Sequence, residues 1–410
     1  MTLAPRILVV GAGLAAAQVV SGLREAGWDG ELTVVGDEGR APYHRPPLSK
    51  GYLKGTVPGD QLDLRAQDFY ADRSVTLVVG ERVLDLGLRS DGTGAARCGS
   101  RRVFDYDRVV LATGASPRSL PLLAGIHGVH DLRSAEDADR LRAELCPGAR
   151  VVVLGAGFVG LEVAATARQL GCAVTVVEAG PQVLGRIAGP VVADHVVAHH
   201  RARGIGVRTD VQATAVGTTG GRISSLELDD GTTMGVDVVV VGIGAQPRVA
   251  LAEAAGLVCA TGVVVDGAAR ASDGVTLAVG DCAVGPTPVR LESVDYATQG
   301  AAAAVATILG TPPPAPAPPW FWSDQGDLKL QIAGLWNPGD ECVVRRSPDS
   351  KKLACVYFRR DQVVAAEVVD SPAEFVALRR AVAAQSQLDR DAVADPEVRL
   401  GPLVSASIPV

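Results

Sequence analysis

Short apolar runs recur along the chain, and each closes on a glycine or an acid. Ile7-Leu-Val-Val10 runs into Gly11-Ala-Gly13-Leu14-Ala15-Ala16, and Val151-Val-Val-Leu154 runs into Gly155-Ala-Gly157-Phe158-Val159-Gly160. Leu32-Thr-Val-Val35 ends in Gly36-Asp37-Glu38, and Ala173-Val-Thr-Val-Val177 ends in Glu178. The run to Leu111 closes on Ala112-Thr113-Gly114, Val236 to Ile243 (interrupted by Asp237) closes on Gly244, and Val275-Thr-Leu-Ala-Val279 closes on Gly280-Asp281. Runs that are apolar throughout, rather than alternating, predict strands buried on both faces, as in a parallel sheet covered by helices. Helix-like runs follow both glycine clusters, and another covers Thr298 to Leu309. Strands alternating with helices predict an α/β fold with parallel sheets.

The pattern changes after Thr311. The segment to Pro319 is mostly proline and alanine, which makes a stiff extended linker. Beyond it come short alternating β-like runs at Lys329 to Ile332, Val343 to Arg345 and Leu353 to Phe358, then a helix-like run from Pro372 to Ala384. These predict a small α+β domain.

The two glycine clusters carry the chemistry. Each follows a strand and opens a helix, the context of a dinucleotide-binding fingerprint. The glycines permit a tight turn and close approach of backbone to a pyrophosphate, and the helix N-terminus favours the phosphate charge. Each is followed, one strand later, by an acid that can accept hydrogen bonds from a ribose hydroxyl pair: Asp37 and Glu38 for the first, Glu178 for the second. Glu178 would repel a 2′-phosphate, so the second site should prefer NADH to NADPH. Two such sites in one chain imply a hydride relay from nicotinamide to flavin, with FAD and NADH as cofactors.

Composition narrows the class. The 410 residues leave room for two or three domains. A net charge of −7 argues against a nucleic-acid binder, whose footprint would be basic. No apolar run approaches the length of a membrane span. The first fingerprint begins at Gly11 and leaves no space for a signal peptide, so a cytoplasmic location is expected. Seven scattered cysteines fit a reducing compartment, and no spacing suggests a metal site.

Taken in order, several segments resemble the flavoprotein reductases of the putidaredoxin reductase type, the ferredoxin reductases that serve oxygenases. They are Gly11 to Ala16, Tyr43-His-Arg-Pro-Pro-Leu-Ser-Lys50, Leu111-Ala-Thr-Gly114, Gly155 to Glu162, Ala278-Val-Gly-Asp-Cys-Ala283, Glu292-Ser293-Val294 and Pro319-Trp-Phe-Trp-Ser-Asp-Gln325. The likeness spans nearly the whole chain. It implies two Rossmann-like nucleotide-binding domains, a split FAD domain over 1–111 and 242–319 with an NAD domain inserted over 112–241, plus a small C-terminal α+β domain over 320–410. It also implies FAD contacts at Ala15, Asp37, Arg45, Lys50, Val83, Arg133, Asp281 and Val294, with Asp281 on the ribitol and Asp37 on the adenosine ribose. Lys50 would lie beside the flavin N5 and pair with Glu162, and Trp322 would sit near the isoalloxazine edge where an iron–sulfur partner approaches. Leu14, Ala16, Ala112, Thr113, Gly114, Gly244, Gly280, Glu292 and Ser293 complete the expected cofactor-binding set, with the second-fingerprint residues Phe158, Val159 and Gly160.

The expected activity is FAD-dependent NADH:ferredoxin oxidoreduction. A hydride passes from NADH to FAD, and single electrons then pass to an acidic iron–sulfur ferredoxin of an oxygenase system. Alternatives are an NADH oxidase-like flavoprotein and a redox-sensing NADH-binding flavoprotein. No two of Cys98, Cys146, Cys172, Cys259, Cys282, Cys342 and Cys355 are closely spaced, so a thiol relay is not expected. The run Gly300-Ala-Ala-Ala-Ala-Val305 lacks the basic residue that putidaredoxin reductase carries there. Arg65, Arg290, Arg345-Arg346 and Lys351-Lys352 are therefore the candidate docking cations. A monomer or a dimer is expected, with neither membrane nor nucleic acid as a partner.

Overall fold

The apolar runs become strands. A computed structural model describes residues 5–285, 290–346 and 351–407, and the chain divides into two compact units. In the first unit (residues up to His44, Gly59–Ser116 and Ala245–Ala317) five parallel strands lie in the order Leu277–Ala278, Arg108–Leu111, Ile7–Val10, Leu32–Val35, Val75–Val78. The fingerprint strand Ile7–Val10 is central, with Val10 in register with Val35 on one side and Leu111 on the other. Helices Leu14–Glu25 and Val294–Leu309 pack together against this sheet, burying Ala16, Val19, Val20, Leu23, Ala301 and Ala304. A three-stranded antiparallel sheet, Val83–Leu88, Gly94–Cys98 and Val103–Tyr106, packs on its other side. The helix expected from Thr298 begins earlier, at Val294, because the Ser293 hydroxyl caps it by accepting from the Tyr296 N–H at 3.0 Å.

The second unit (Arg45–Pro58, Pro117–Gly244 and Pro318–Val410) repeats the plan. Its parallel sheet runs Gly206–Arg208, Ala173–Val177, Arg150–Leu154, Val238–Val241, Val129–His130, and the fingerprint strand is again central. A five-stranded antiparallel sheet follows, in the order Trp320–Gln325, Leu328–Gly334, Gln362–Val369, Leu353–Arg359, Glu341–Arg346, with the helix Pro372–Ala383 against it. The expected small α+β domain is this sheet and its helices. The grouping differs from a division by sequence position alone, because Arg45–Pro58 belongs with the second unit. Leu53 is fully buried in its core, and the Tyr52 hydroxyl donates to Asp139 at 2.9 Å. Among the described residues no helix is long and apolar enough to cross a membrane.

One buried acid links the antiparallel sheet to the nucleotide half of this unit. The fully buried Glu367 accepts from the Gly189 N–H at 2.8 Å and from the Tyr357 hydroxyl at 3.0 Å. Trp336 stacks on Tyr357 and donates from Nε1 to the Ile187 carbonyl at 3.0 Å. Burial pushes the Glu367 carboxyl up from 4.5 to about 7, because its charged form has lost water. A raised acid pKa stabilises the fold below the ordinary value and loses that contribution as pH rises through about 7. Glu367→Gln keeps an acceptor for Gly189 and removes the charge. It should raise the stability at pH 8 by up to about 3 kcal/mol and flatten the dependence between pH 5 and 8, read as urea midpoints across pH.

Candidate active site

The two fingerprint turns have the same construction. Gly11 donates to the Val35 carbonyl at 2.7 Å while Ala112 donates to Val10 at 2.7 Å; Gly155 donates to Val177 at 2.7 Å while Gly242 donates to Leu154 at 2.7 Å. Each turn thus sits at the carboxyl end of a central strand, where the strand order reverses and α/β sheets bind ligands. Gly11 (φ +113°) and Gly155 (φ +97°) hold a left-handed backbone, and a Cβ would fall 2.1 Å from the Ala112 oxygen or 2.5 Å from the Gly242 oxygen. Gly13 and Gly157 serve differently. Each is extended and begins a helix with no side-chain cap and no acid in its first turn, and a Cβ there would meet nothing within 4 Å. Backbone N–H groups at the start of a helix, with open space before them and no acid in the first turn, fit a pyrophosphate. At Gly160 a Cβ would lie 2.2 Å from the Gly155 oxygen, so this glycine lets helix and turn pack.

Other expected residues gather around these turns. Gly280 (φ +71°) packs on Ala15, which sets the half-exposed Asp281 beside the first fingerprint helix. Asp37 follows Gly36, which lies against Ala12, and its carboxylate pairs with the Arg248 guanidinium at 3.0 Å. Arg248 is held in turn by the Gly114 carbonyl, to which its N–H donates at 2.9 Å, and its own carbonyl accepts from the Thr113 hydroxyl at 2.8 Å. Glu38 accepts from the Tyr43 hydroxyl at 2.5 Å. Val83 is a half-buried strand residue on the antiparallel sheet, Glu292 pairs with Arg290, and Ser293 is spent as the cap of the helix that Val294 begins.

In the second unit, the Glu178 carboxylate accepts from the Ala156 N–H at 2.7 Å and the Gly180 N–H at 2.8 Å, so the acid is fixed at the fingerprint turn. Val159 is exposed beside it, and Phe158 packs edge-on against Phe321 at 5.2 Å. Gly244 (φ +102°) lies near Arg118 and Arg186, two cations that sequence reading did not single out. Arg45 donates to the Arg133 carbonyl at 2.6 Å, which brings these two expected contacts together.

Lys50 and Glu162 meet as expected, with the ammonium 2.7 Å from Oε2. Glu162 is buried, not a solvated acid at a helix start. Its other donors were not foreseen: Ser49 Oγ reaches Oε2 at 2.5 Å and Ser323 Oγ reaches Oε1 at 2.7 Å. Trp322 is half-buried and stacks on Trp320, ring centres 5.5 Å apart.

All seven cysteines are free, and burial pushes the thiols of Cys98, Cys172, Cys259 and Cys282 up, away from the reactive thiolate. No cluster among the described residues could hold a metal.

Three docking expectations need correction. Arg290 is mostly buried; it donates to the Asp281 carbonyl at 3.1 Å and pairs with Glu292 at 2.5 Å, so it braces the turn at Gly280 and Asp281. Arg65 donates to Ser21 at 2.9 Å and lies over Phe69. Arg345 is buried, pairs with Glu374 at 2.7 Å and donates to the Val393, Asp395, Pro396 and Val398 carbonyls, so it staples the C-terminal segment. Arg346, Lys351 and Lys352 are exposed.

Comparisons with known proteins agree with this geometry. Residues 5–301 match the model of the pyridine nucleotide-disulphide oxidoreductases, and residues 320–404 match the reductase C-terminal family. The chain is 38% identical over 404 residues to a probable ferredoxin reductase of Castellaniella defragrans, covering 96% of this chain and 98% of that protein. It is 36% identical over 418 residues to putidaredoxin reductase of Pseudomonas putida, covering 98% and 97%. The crystal structure of a covalent putidaredoxin reductase–putidaredoxin complex superposes with a TM-score of 0.94 at 35% identity, covering 99% of each chain.

The two kinds of glycine predict opposite phenotypes. Gly155→Ala should cost about 3 kcal/mol of stability, from left-handed strain plus the clash. Gly157→Ala should stay within about 1 kcal/mol of the parent yet weaken NADH binding about tenfold, because its methyl stands where the pyrophosphate must approach. Thermal melts paired with NADH titrations separate the two.

Proposed function

The chain belongs to the pyridine nucleotide-disulphide oxidoreductase family, and on that premise we propose that it is an FAD-dependent NADH:ferredoxin oxidoreductase serving an oxygenase. The observation that carries this reading is a pair of open phosphate cradles on one chain whose seven cysteines are all free. Bound FAD supplies the conversion of a two-electron hydride into single-electron steps.

The protein's own part is binding, orientation and charge. Gly11, Gly13 and the N-terminus of Leu14–Glu25 hold one pyrophosphate, with Asp37 on the ribose and Asp281 on the ribitol. Gly155, Gly157 and the N-terminus of Phe158–Gln169 hold the other, with Glu178 on the ribose of NADH. Lys50, held 2.7 Å from Glu162 Oε2, offers a cation to negative charge on reduced flavin. The NAD, FAD and C-terminal functions divide along the chain as 112–241, 1–111 with 242–319, and 320–410.

Electrons leave toward an acidic iron–sulfur protein. With a net charge of −7 the chain needs a local basic surface to attract one. The C-terminal helix Pro372–Ala383 offers it: Arg379 lies 4.3 Å over the Trp320 ring, Arg380 is exposed beside it, and Val376 is 60% exposed. Stacked tryptophans, two arginines and an exposed valine combine the aromatic and cationic character of a docking face.

Two outcomes are expected. NADH should exceed NADPH in kcat/KM by about 30–150-fold, since a lost ribose contact and phosphate repulsion amount to about 2–3 kcal/mol. Glu178→Ala should narrow that gap; equal efficiency in the parent protein would remove Glu178 from the ribose. In ferredoxin-dependent cytochrome c reduction, Arg379→Glu with Arg380→Glu should raise the KM for an acidic ferredoxin about tenfold and flatten its salt dependence. NADH-driven ferricyanide reduction should stay normal, because a small acceptor needs no docking face. No reduction of any ferredoxin in a panel, with ferricyanide reduction intact, would refute the assignment.

A further inference from the structure

We propose that Ser323 is a positioning residue for the Glu162–Lys50 pair, carried by the C-terminal strand whose opposite face bears Trp322. The inference deepens the reading above and rests on it where it says that the pair serves the flavin.

The two oxygens of Glu162 are not equivalent. Oε2 has two donors, the Lys50 ammonium at 2.7 Å and the Ser49 hydroxyl at 2.5 Å, while Oε1 receives the Ser323 hydroxyl at 2.7 Å. A buried carboxylate oxygen stripped of its donor is costlier than the bond it lost, because no water replaces it. Without Ser323 the carboxylate must turn, and any turn moves the oxygen that holds Lys50.

Ser323 is itself aimed. It is fully buried, and its oxygen accepts from Gln325 Nε2 at 3.3 Å, which leaves its proton for Glu162. The Gln325 carbonyl oxygen pairs with His200 Nε2 at 2.9 Å. Burial holds the His200 pKa down, so the ring is neutral and donates from Nε2. The donors therefore run one way, from His200 through Gln325 and Ser323 to Glu162, and each bond polarises the next. Ser49 is anchored separately, its carbonyl accepting from Thr166 at 2.7 Å, one turn beyond Glu162 on the same helix. Burial alternates along Trp320–Gln325, with Phe321, Ser323 and Gln325 inward and Trp320, Trp322 and Asp324 less buried. One rigid strand thus holds the carboxylate with one face and presents the stacked indoles on the other.

The test reads Lys50 directly and the reaction separately. In the purified, full-length flavoprotein, brief treatment with acetic anhydride is followed by mass spectrometry, with exposed Lys54 and Lys329 as internal standards. Ser323→Ala should raise Lys50 acetylation about fivefold relative to those lysines. It should also slow the limiting rate of flavin reduction by NADH about tenfold while the NADH dissociation constant stays within twofold, the pattern of lost orientation rather than lost binding. Ser323→Cys keeps the volume with a weaker donor, gives an intermediate value for each, and serves where the alanine variant does not fold. Combined with Glu162→Gln, Ser323→Ala should add no further slowing. Unchanged Lys50 acetylation in both Ser323 variants overturns the positioning role. Faster acetylation with flavin reduction slowed by Lys50→Met but not by Ser323→Ala also overturns it. Flavin reduction unaffected by Lys50→Met overturns instead the assignment of the pair to the flavin.

Discussion

A carboxylate that gives up water must find its donors inside the protein, and in this chain Glu162 finds them on two stretches far from its own helix. Lys50 and Ser49 come from the Arg45–Pro58 segment, Ser323 comes from the first C-terminal strand, and the acid itself rides the helix of the second fingerprint. An unpaired charge at that depth would cost several kcal/mol. The requirement explains why Arg45–Pro58 leaves the part of the chain on either side of it and joins the second compact unit. Leu53 in the same core and Tyr52 on Asp139 add apolar and polar anchors to a segment otherwise led by two prolines.

The fingerprint turns obey a different constraint, which is geometric. A central parallel strand must hand the chain to a helix while its neighbours on both sides still hydrogen-bond to its end. In both units the closing bonds are the same pair, one from the first glycine to the following strand and one into the fingerprint strand from the residue after the later neighbour. Only a residue without a side chain fits between them, and the next glycine then stands clear at the helix start. The repetition of this arrangement in two sequences that share little else argues that it answers to the pyrophosphate rather than to the fold alone.

Much of this was legible in the sequence because it is local. Fingerprint strands, their glycines and the acids one strand later are read within a few tens of residues, and the sheets formed where the uninterrupted apolar runs lie. The Lys50–Glu162 pair came from family resemblance, since nothing local marks either residue. Ser49, Ser323 and Arg248 were missed for a related reason. Each acts on a partner more than a hundred residues away, and serine or arginine in a turn has many bland roles. Arg345 carried a signal that went unused. It shares a strand face with Val343, whose side chain packs on the C-terminal core, so period-two alternation already pointed it inward, away from a docking surface. Arg290 offered no such signal, because its partners are backbone carbonyls and the acid two residues on.

The C-terminal sheet also bears on how a chain of net charge −7 would attract the acidic partner proposed for it. Its first strand is anchored because its inward face hydrogen-bonds a buried carboxylate, and an anchored strand favours aromatic stacking on the other face. Trp320 and Trp322 lie nearly parallel, and Arg379 covers Trp320 from the neighbouring helix. A guanidinium over an indole keeps its charge while losing rotamer freedom, so it meets an incoming anion with less entropy left to surrender. The cations first suspected, Arg290 and Arg345, have already given their charge to their own fold. Charge committed to internal pairs cannot steer a partner; charge resting on an aromatic surface can, and the proposed docking face would put the electrostatics of electron exit beside the strand that holds Glu162 in place.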